Sequence, residues 1–290
     1  MNLHILGTGT PMPSADRFGT SYVLGVGGDY LMFDCGPATT HRLAKIGLLP
    51  TQIDHLFFTH HHYDHNGGYP VFLLCRWDHS VGEERQLQVW GPPPTVLITE
   101  RLVGPEGAFY PDWKSRVEHP ASHRTHELRG GSLPRPEPSF DVTDTGPGQV
   151  TAPGGWAVRA ARAQHYEPWL QSLAYRVDCD QGSIVFAGDT ARCEPVTNLG
   201  RGADVLVVSC WDYQERMENE DRENVAVIAG TLDVARMARD CGVQTLVVAH
   251  TQPSISGPGA WEKVVGDIAR IYEGRIIFAE ELMTLERPAG

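Results

Sequence analysis

No apolar run in the sequence approaches the ~20 residues needed to cross a bilayer, which argues against a membrane-spanning helix. A basic segment followed by an apolar one and a cleavage site is missing too. Met1-Asn2-Leu3-His4 leads straight into strand-like sequence, so no signal peptide is read. The six cysteines (Cys35, Cys75, Cys179, Cys193, Cys210 and Cys241) include no C-x-x-C pair, and several sit inside apolar runs, where cysteine behaves as a small buried hydrophobe. This argues against a disulfide framework and a cysteine-based zinc site, and points to a reducing cytoplasm. Basic charge is scarce: 24 Lys and Arg against 36 Asp and Glu leave a net charge of −12. Proteins that grip nucleic acid by its phosphates usually carry a basic stripe, and none is visible, although a whole-chain count does not exclude a local patch. The partners expected from this balance are a small-molecule substrate, with no nucleic acid and no membrane. A homodimer is compatible with it.

What is present is a globular balance, 41% hydrophobic and 21% charged over 290 residues, ordinary for one large α/β unit. Leu3 to Leu6 reads as a strand that breaks at Gly7-Thr8-Gly9-Thr10-Pro11. Ser21 to Gly25 and Tyr30 to Phe33 read as a hairpin, His41 to Ile46 as a short helix, and Ile53 to Thr59 as an apolar strand. After a strand at Gln86 to Trp90, the stretch from about 104 to 155 is rich in Pro, Gly, His and Arg with little period, and is expected to be a loop-rich insertion, either a lid or a passive excursion. Strands return at Trp156 to Ala163, Leu173 to Asp178, Ser183 to Ala187, Ala203 to Ser209 and Gln244 to Ala249. Thr231 is placed to cap a helix that ends near Gly242, and Trp261 to Ile271 carries the apolar spacing of a second helix. The expected architecture is one α/β domain over residues 1–290, a four-layer αββα sandwich of two mixed sheets flanked by helices.

Thr59-His60-His61-His62-Tyr63-Asp64-His65 is the most informative stretch. In extended chain, residues i and i+2 point the same way, so His60 and His62 can meet one metal. Asp64 and His65 follow as the chain turns toward Asn66-Gly67-Gly68 and face a second position. An exposed histidine-rich tract is the blander alternative. The apolar strand before the histidines and the Gly-rich helix start after them speak against it. His61 points away from its neighbours in this geometry and is read as a supporting or surface residue. Imidazole and carboxylate suit Zn2+, with Mn2+ or Fe2+ admissible.

The pattern His-x-His-x-Asp-His after an apolar strand resembles the signature of the metallo-β-lactamase superfamily. Leu6 to Pro11 looks like that family's opening turn, and Phe33-Asp34-Cys35-Gly36 like its second motif, whose aspartate supports the metal loop. His165, Ala187-Gly188-Asp189-Thr190 and Val248-Ala249-His250 stand where its later motifs stand. The resemblance implies two divalent metal ions. His60, His62 and His165 would hold the first, Asp64, His65 and His250 the second, and Asp189 would bridge them around a hydroxide. Asp64 is the implied proton shuttle.

Within the superfamily the chain resembles the ribonuclease Z-like group, and its end, His250-Thr251-Gln252-Pro253 with Leu282-Met283, resembles arylsulfatase-like relatives. Two departures stand out. Where ribonuclease Z carries His-Glu-Ala-Thr the chain reads Ser209-Cys210-Trp211-Asp212, and where it carries His-Ser-Thr the chain reads Ala229-Gly230-Thr231, so a proton donor for a leaving 3′ oxygen is missing. The resulting expectation is a metal-dependent hydrolase of a small ester-type substrate (phosphodiester, sulfate ester, lactone or β-lactam). The alternative is a ribonuclease Z-type tRNA 3′-processing endonuclease. Tyr166, Trp169 and Trp211 are candidates to line the pocket, with plain core packing as their simpler reading.

Overall fold

Alternation along the strands dictates the layers. In Leu31-Met32-Phe33, residues 31 and 33 face one apolar cluster and Met32 another, and Leu206, Val207 and Val208 divide the same way. Strands apolar on both faces must be covered on both, which requires a sheet between a second sheet and a helix layer. The computed structural model, which describes residues 1–286, has this arrangement.

In chain order the strands are β1 (Asn2–Gly7), β2 (Ser21–Val26), β3 (Asp29–Phe33), β4 (His55–Phe57), β5 (Gln88–Gly91), β6 (Asp141–Asp144), β7 (Gly148–Thr151), β8 (Trp156–Arg162), β9 (Leu173–Cys179), β10 (Gly182–Phe186), β11 (Val205–Ser209), β12 (Thr245–Ala249), β13 (Arg275–Phe278) and β14 (Thr284–Glu286). They form two seven-stranded sheets, ordered β14-β1-β2-β3-β4-β5-β6 and β13-β12-β11-β10-β9-β8-β7. Between them lies a core that includes Ile5, Phe33, Phe57, Tyr175 and Phe186, with the rings of Phe33 and Phe186 stacked at 3.9 Å. Helices cover both outer faces, giving the expected αββα sandwich. Each sheet is antiparallel on one side and parallel on the other, with β3 to β6 parallel in the first and β10 to β13 parallel in the second. Ligands in such sheets gather beyond the carboxyl ends of parallel strands. Asp34 follows β3, His60 and His62 follow β4, Asp189 follows β10, and His250 follows β12.

Two local expectations are corrected. Residues 104–155 carry more regular structure than a loop-rich insertion implies: among their loops they contain helices Tyr110–Glu118 and Pro120–Leu128 and the strands β6 and β7, which extend one sheet each. Pro111 and Pro120, which look like breakers, occupy first-turn helix positions, where a missing N–H costs nothing. Each helix buries a single residue, Trp113 or His126, too few to leave an apolar period. Thr231 does not cap its helix. Gly230 holds the cap position of Thr231–Cys241, and the Thr231 hydroxyl accepts from the Gln214 N–H at 3.1 Å. Gly242 ends that helix at φ 70°, as its position implied.

Candidate metal centre

All seven residues singled out in the sequence meet in two adjoining groups. Donor atoms of His60, His62, His165 and Asp189 lie within 4.8 Å of one another, and so do those of Asp64, His65 and His250. Asp189 reaches both groups. Its carboxylate lies 3.8 Å from His165 Nε2, 3.6 Å from His65 Nε2 and 3.1 Å from His250 Nε2.

The tautomers follow from the outer partners. His165 Nδ1 donates to the Val227 carbonyl at 2.7 Å, and His250 Nδ1 to the Gly9 carbonyl at 2.8 Å. His65 Nδ1 donates to Asp34 Oδ2 at 2.7 Å. Thr59 Oγ1 gives its proton to Asp34 Oδ2 at 2.8 Å, so at 3.0 Å it accepts from His60 Nδ1. Four rings therefore turn Nε2 inward, and His62 presents Nδ1, 3.0 Å from His60 Nε2 and 3.3 Å from His165 Nε2. A proton on His62 Nδ1 could serve only one of the two lone pairs that face it, whereas a cation among the three nitrogens serves them all. The second group gives the same indication: both Asp64 oxygens, His65 Nε2 and His250 Nε2 are buried without any hydrogen-bond partner. Burying four such atoms unpaired is costly, and a divalent cation satisfies them all. The donor set fits a hard-to-borderline cation.

Strain at the site is local. Asp34 and His250 both have left-handed φ values, 58° and 48°, the kind of backbone cost that functional positions carry. Gly188 is at φ 61°, and a Cβ there would meet Thr59 Cβ at 2.8 Å, so this turn admits only glycine while presenting Asp189.

His61 faces away from the centre. Its Nε2 donates to Thr95 Oγ1 at 2.7 Å and tethers the 92–95 turn. Tyr166 and Trp169 are not core residues. Tyr166 lies against the site, with its ring centroid 4.6 Å from that of His165, and Trp169 is exposed. Trp211 is half-buried, 6.2 Å from the His250 ring. Sequence reasoning missed Ser209, which donates to Asp189 Oδ1 at 2.6 Å, and the relay through Thr59. Ser209 ends an apolar strand and Thr59 immediately precedes the histidines, and those positions were the available signals. The Val227 carbonyl leaves no trace in side-chain identity. Cys210 and Ala229 are fully buried in the core behind the second sheet.

In the protein without metal, burial opposes charge on His65, yet Asp189 and Asp34 outweigh it and hold its pKa well above the ordinary 6.5. Burial instead keeps His60 well below 6.5. His65 thus carries a proton near neutrality that a metal must displace. Metal binding is expected to release about one proton, and affinity to rise about tenfold per pH unit below the His65 pKa. Calorimetry in buffers of different ionisation enthalpy checks this, and binding without proton release would contradict it.

Fold and site together define a metal-dependent hydrolase. The model of the Metallo-beta-lactamase superfamily matches residues 15–250, and the chain belongs to that family, in its ribonuclease Z-like branch. The chain is similar to a protein named Ribonuclease Z from Mycobacterium bovis (strain BCG / Pasteur 1173P2), with 28% identity over 99% of this chain and 98% of that protein. A Ribonuclease Z from Mycobacterium marinum is 29% identical over the same shares. Among solved structures, the metallo-beta-lactamase fold protein YhfI from Bacillus subtilis superposes with a TM-score of 0.74 at 16% identity, over 98% of both chains. The short form of human tRNase Z gives 0.66 at 22%, over 100% of both. The expectation of a small-molecule partner and no nucleic acid does not stand, because relatives matching almost end to end are named for a ribonuclease. Net charge counts side chains alone and omits the positive charge that a cation site gathers where substrate binds. Among the described residues no helix is long and apolar enough to cross a membrane.

Proposed function

We propose that this chain is a two-metal phosphodiesterase that acts on RNA in the manner of ribonuclease Z, removing the 3′ trailer of precursor tRNA. One joint observation carries the reading: seven inward-facing donors in two adjoining groups, in a chain similar to ribonuclease Z relatives along 99% of its length. Imidazole and carboxylate without thiolate favour Zn2+, and Mn2+ or Fe2+ are tolerated by the same donors. His60, His62 and His165 would hold one ion and Asp64, His65 and His250 the other, with Asp189 shared. When bound, such a pair supplies an activated water and polarises the phosphate. The chain's own part is to fix donors and move a proton. Asp34, Thr59, Gly9, Val227 and Ser209 lock the ligands, and Asp64, whose oxygens have no other partner, takes up the proton of the attacking water.

With Cys210 and Ala229 buried, nothing at those positions protonates the leaving 3′ oxygen. A general acid is commonly worth ~10²–10⁴ in rate. Bis(p-nitrophenyl) phosphate, whose leaving group needs no proton, is therefore expected to turn over at least about 10²-fold faster than RNA. Equal rates would reveal a donor elsewhere. The direct test is precursor tRNA with a 3′ trailer, incubated with Zn2+- or Mn2+-loaded protein at low and moderate salt. A single metal-dependent cut, weakening as salt rises, is expected. No cut with either metal at low salt overturns the reading.

A further inference from the structure

Two exposed aromatic side chains lie on the turn that directly follows the ligand candidate His165, a place that core packing does not explain. Tyr166 is 44% exposed and Trp169 is 88% exposed. Single exposed apolar residues are common, but tryptophan is on average among the more buried residues, and one this exposed contributes little to the fold. Location distinguishes the pair. Tyr166 directly follows His165, and its ring lies 5.3 Å from that of His62. Trp169 belongs to the same turn, its N–H donating to the Tyr166 carbonyl at 3.0 Å. The turn is braced from beneath. Gln164 donates through its backbone to Thr190 Oγ1 at 3.0 Å and through its side chain to the Ala226 carbonyl at 2.8 Å, and Arg162 pairs with Glu167 at 3.1 Å. The turn that carries both side chains is thus held in place beside the first ligand group, with the Tyr166 ring against His62 and His165.

We propose that Tyr166 and Trp169 form a stacking platform for a nucleobase next to the phosphate that is cut. This rests on the RNA reading above and adds a residue-level determinant to it. The occupant follows from size and surroundings. Glu167, Pro168 and Gln171 around the rings are exposed and mostly polar, so the apolar area is that of a ring face and far short of a protein interface. A nucleotide seated at the metal ligands has its neighbour next to this turn, and every base offers a face to stack.

The test pairs the protein change with a substrate change. Precursor tRNA is prepared intact and with an abasic nucleotide on either side of the cleaved phosphate. It is assayed with wild type, Trp169→Ala and Trp169→Phe. Trp169→Ala is expected to raise KM about tenfold on intact RNA, and one abasic substitution to do the same to wild type. Combining both should cost no more than either alone, and Trp169→Phe should recover most of the loss. Additive losses, or an unchanged KM in Trp169→Ala, overturn the platform while leaving the RNA reading intact. A Trp169→Ala chain that sediments as a smaller species than wild type identifies the rings as a self-association surface and also overturns it. A wild type inert on every RNA overturns the RNA reading, and the platform with it.

Discussion

Replacing Asp189 with alanine is expected to empty the metal centre and abolish hydrolysis. Its carboxylate lies within 4 Å of ring nitrogens from both donor groups. Removing it takes a negative charge from between the two donor groups and leaves His65 Nε2 and His250 Nε2 with the more distant Asp64 carboxylate, 3.8 and 3.7 Å away. Losing an outer partner of a metal ligand commonly costs ~10–100-fold, so losing a shared ligand is expected to cost more than about 100-fold in affinity and activity. Ser209 would also be left without its acceptor. Metal analysis after dialysis, together with turnover of bis(p-nitrophenyl) phosphate, reads both effects. An Asp189→Ala protein with full metal content and activity would remove this residue from the centre.

Asp34→Asn is the second large effect, and it acts without touching a metal. The buried Asp34 carboxylate accepts from Thr59 N at 2.7 Å, Thr59 Oγ1 at 2.8 Å and His65 Nδ1 at 2.7 Å. An amide has one oxygen to offer, so its NH2 must face a donor. Asparagine tolerates the left-handed backbone as aspartate does, which isolates the hydrogen bonds from the turn. Each buried donor left unpaired costs about 1–3 kcal/mol. His65 and, through Thr59, His60 lose their orientation together, so a ~10–100-fold loss of metal affinity is expected. Thermal unfolding of the metal-free variant gives the stability part and metal titration the remainder. A variant with unchanged metal affinity would show that Asp34 serves the fold alone.

Much of this centre was legible in the sequence because its ligands obey local rules. His60 and His62 follow an apolar strand at the spacing of extended chain, and Asp189 and His250 each end a strand whose continuous apolar run marks it as buried. The sheet layers were legible for the same reason. What was not legible depended on partners far along the chain. Whether residues 104–155 fold into helices is decided by single anchors, Trp113 and His126, that leave no period. That Thr231 serves Gln214 instead of its own helix is decided by a segment seventeen residues earlier. The nature of the partner was misjudged because net charge averages over the whole surface, whereas recognition takes place at one cleft.

The most direct measurement is anomalous diffraction at the zinc edge from crystals grown with Zn2+. Two peaks are predicted, about 3.5–4 Å apart, one among His60, His62 and His165 and one among Asp64, His65 and His250, with Asp189 touching both. A single peak, or peaks away from these seven side chains, would contradict the account.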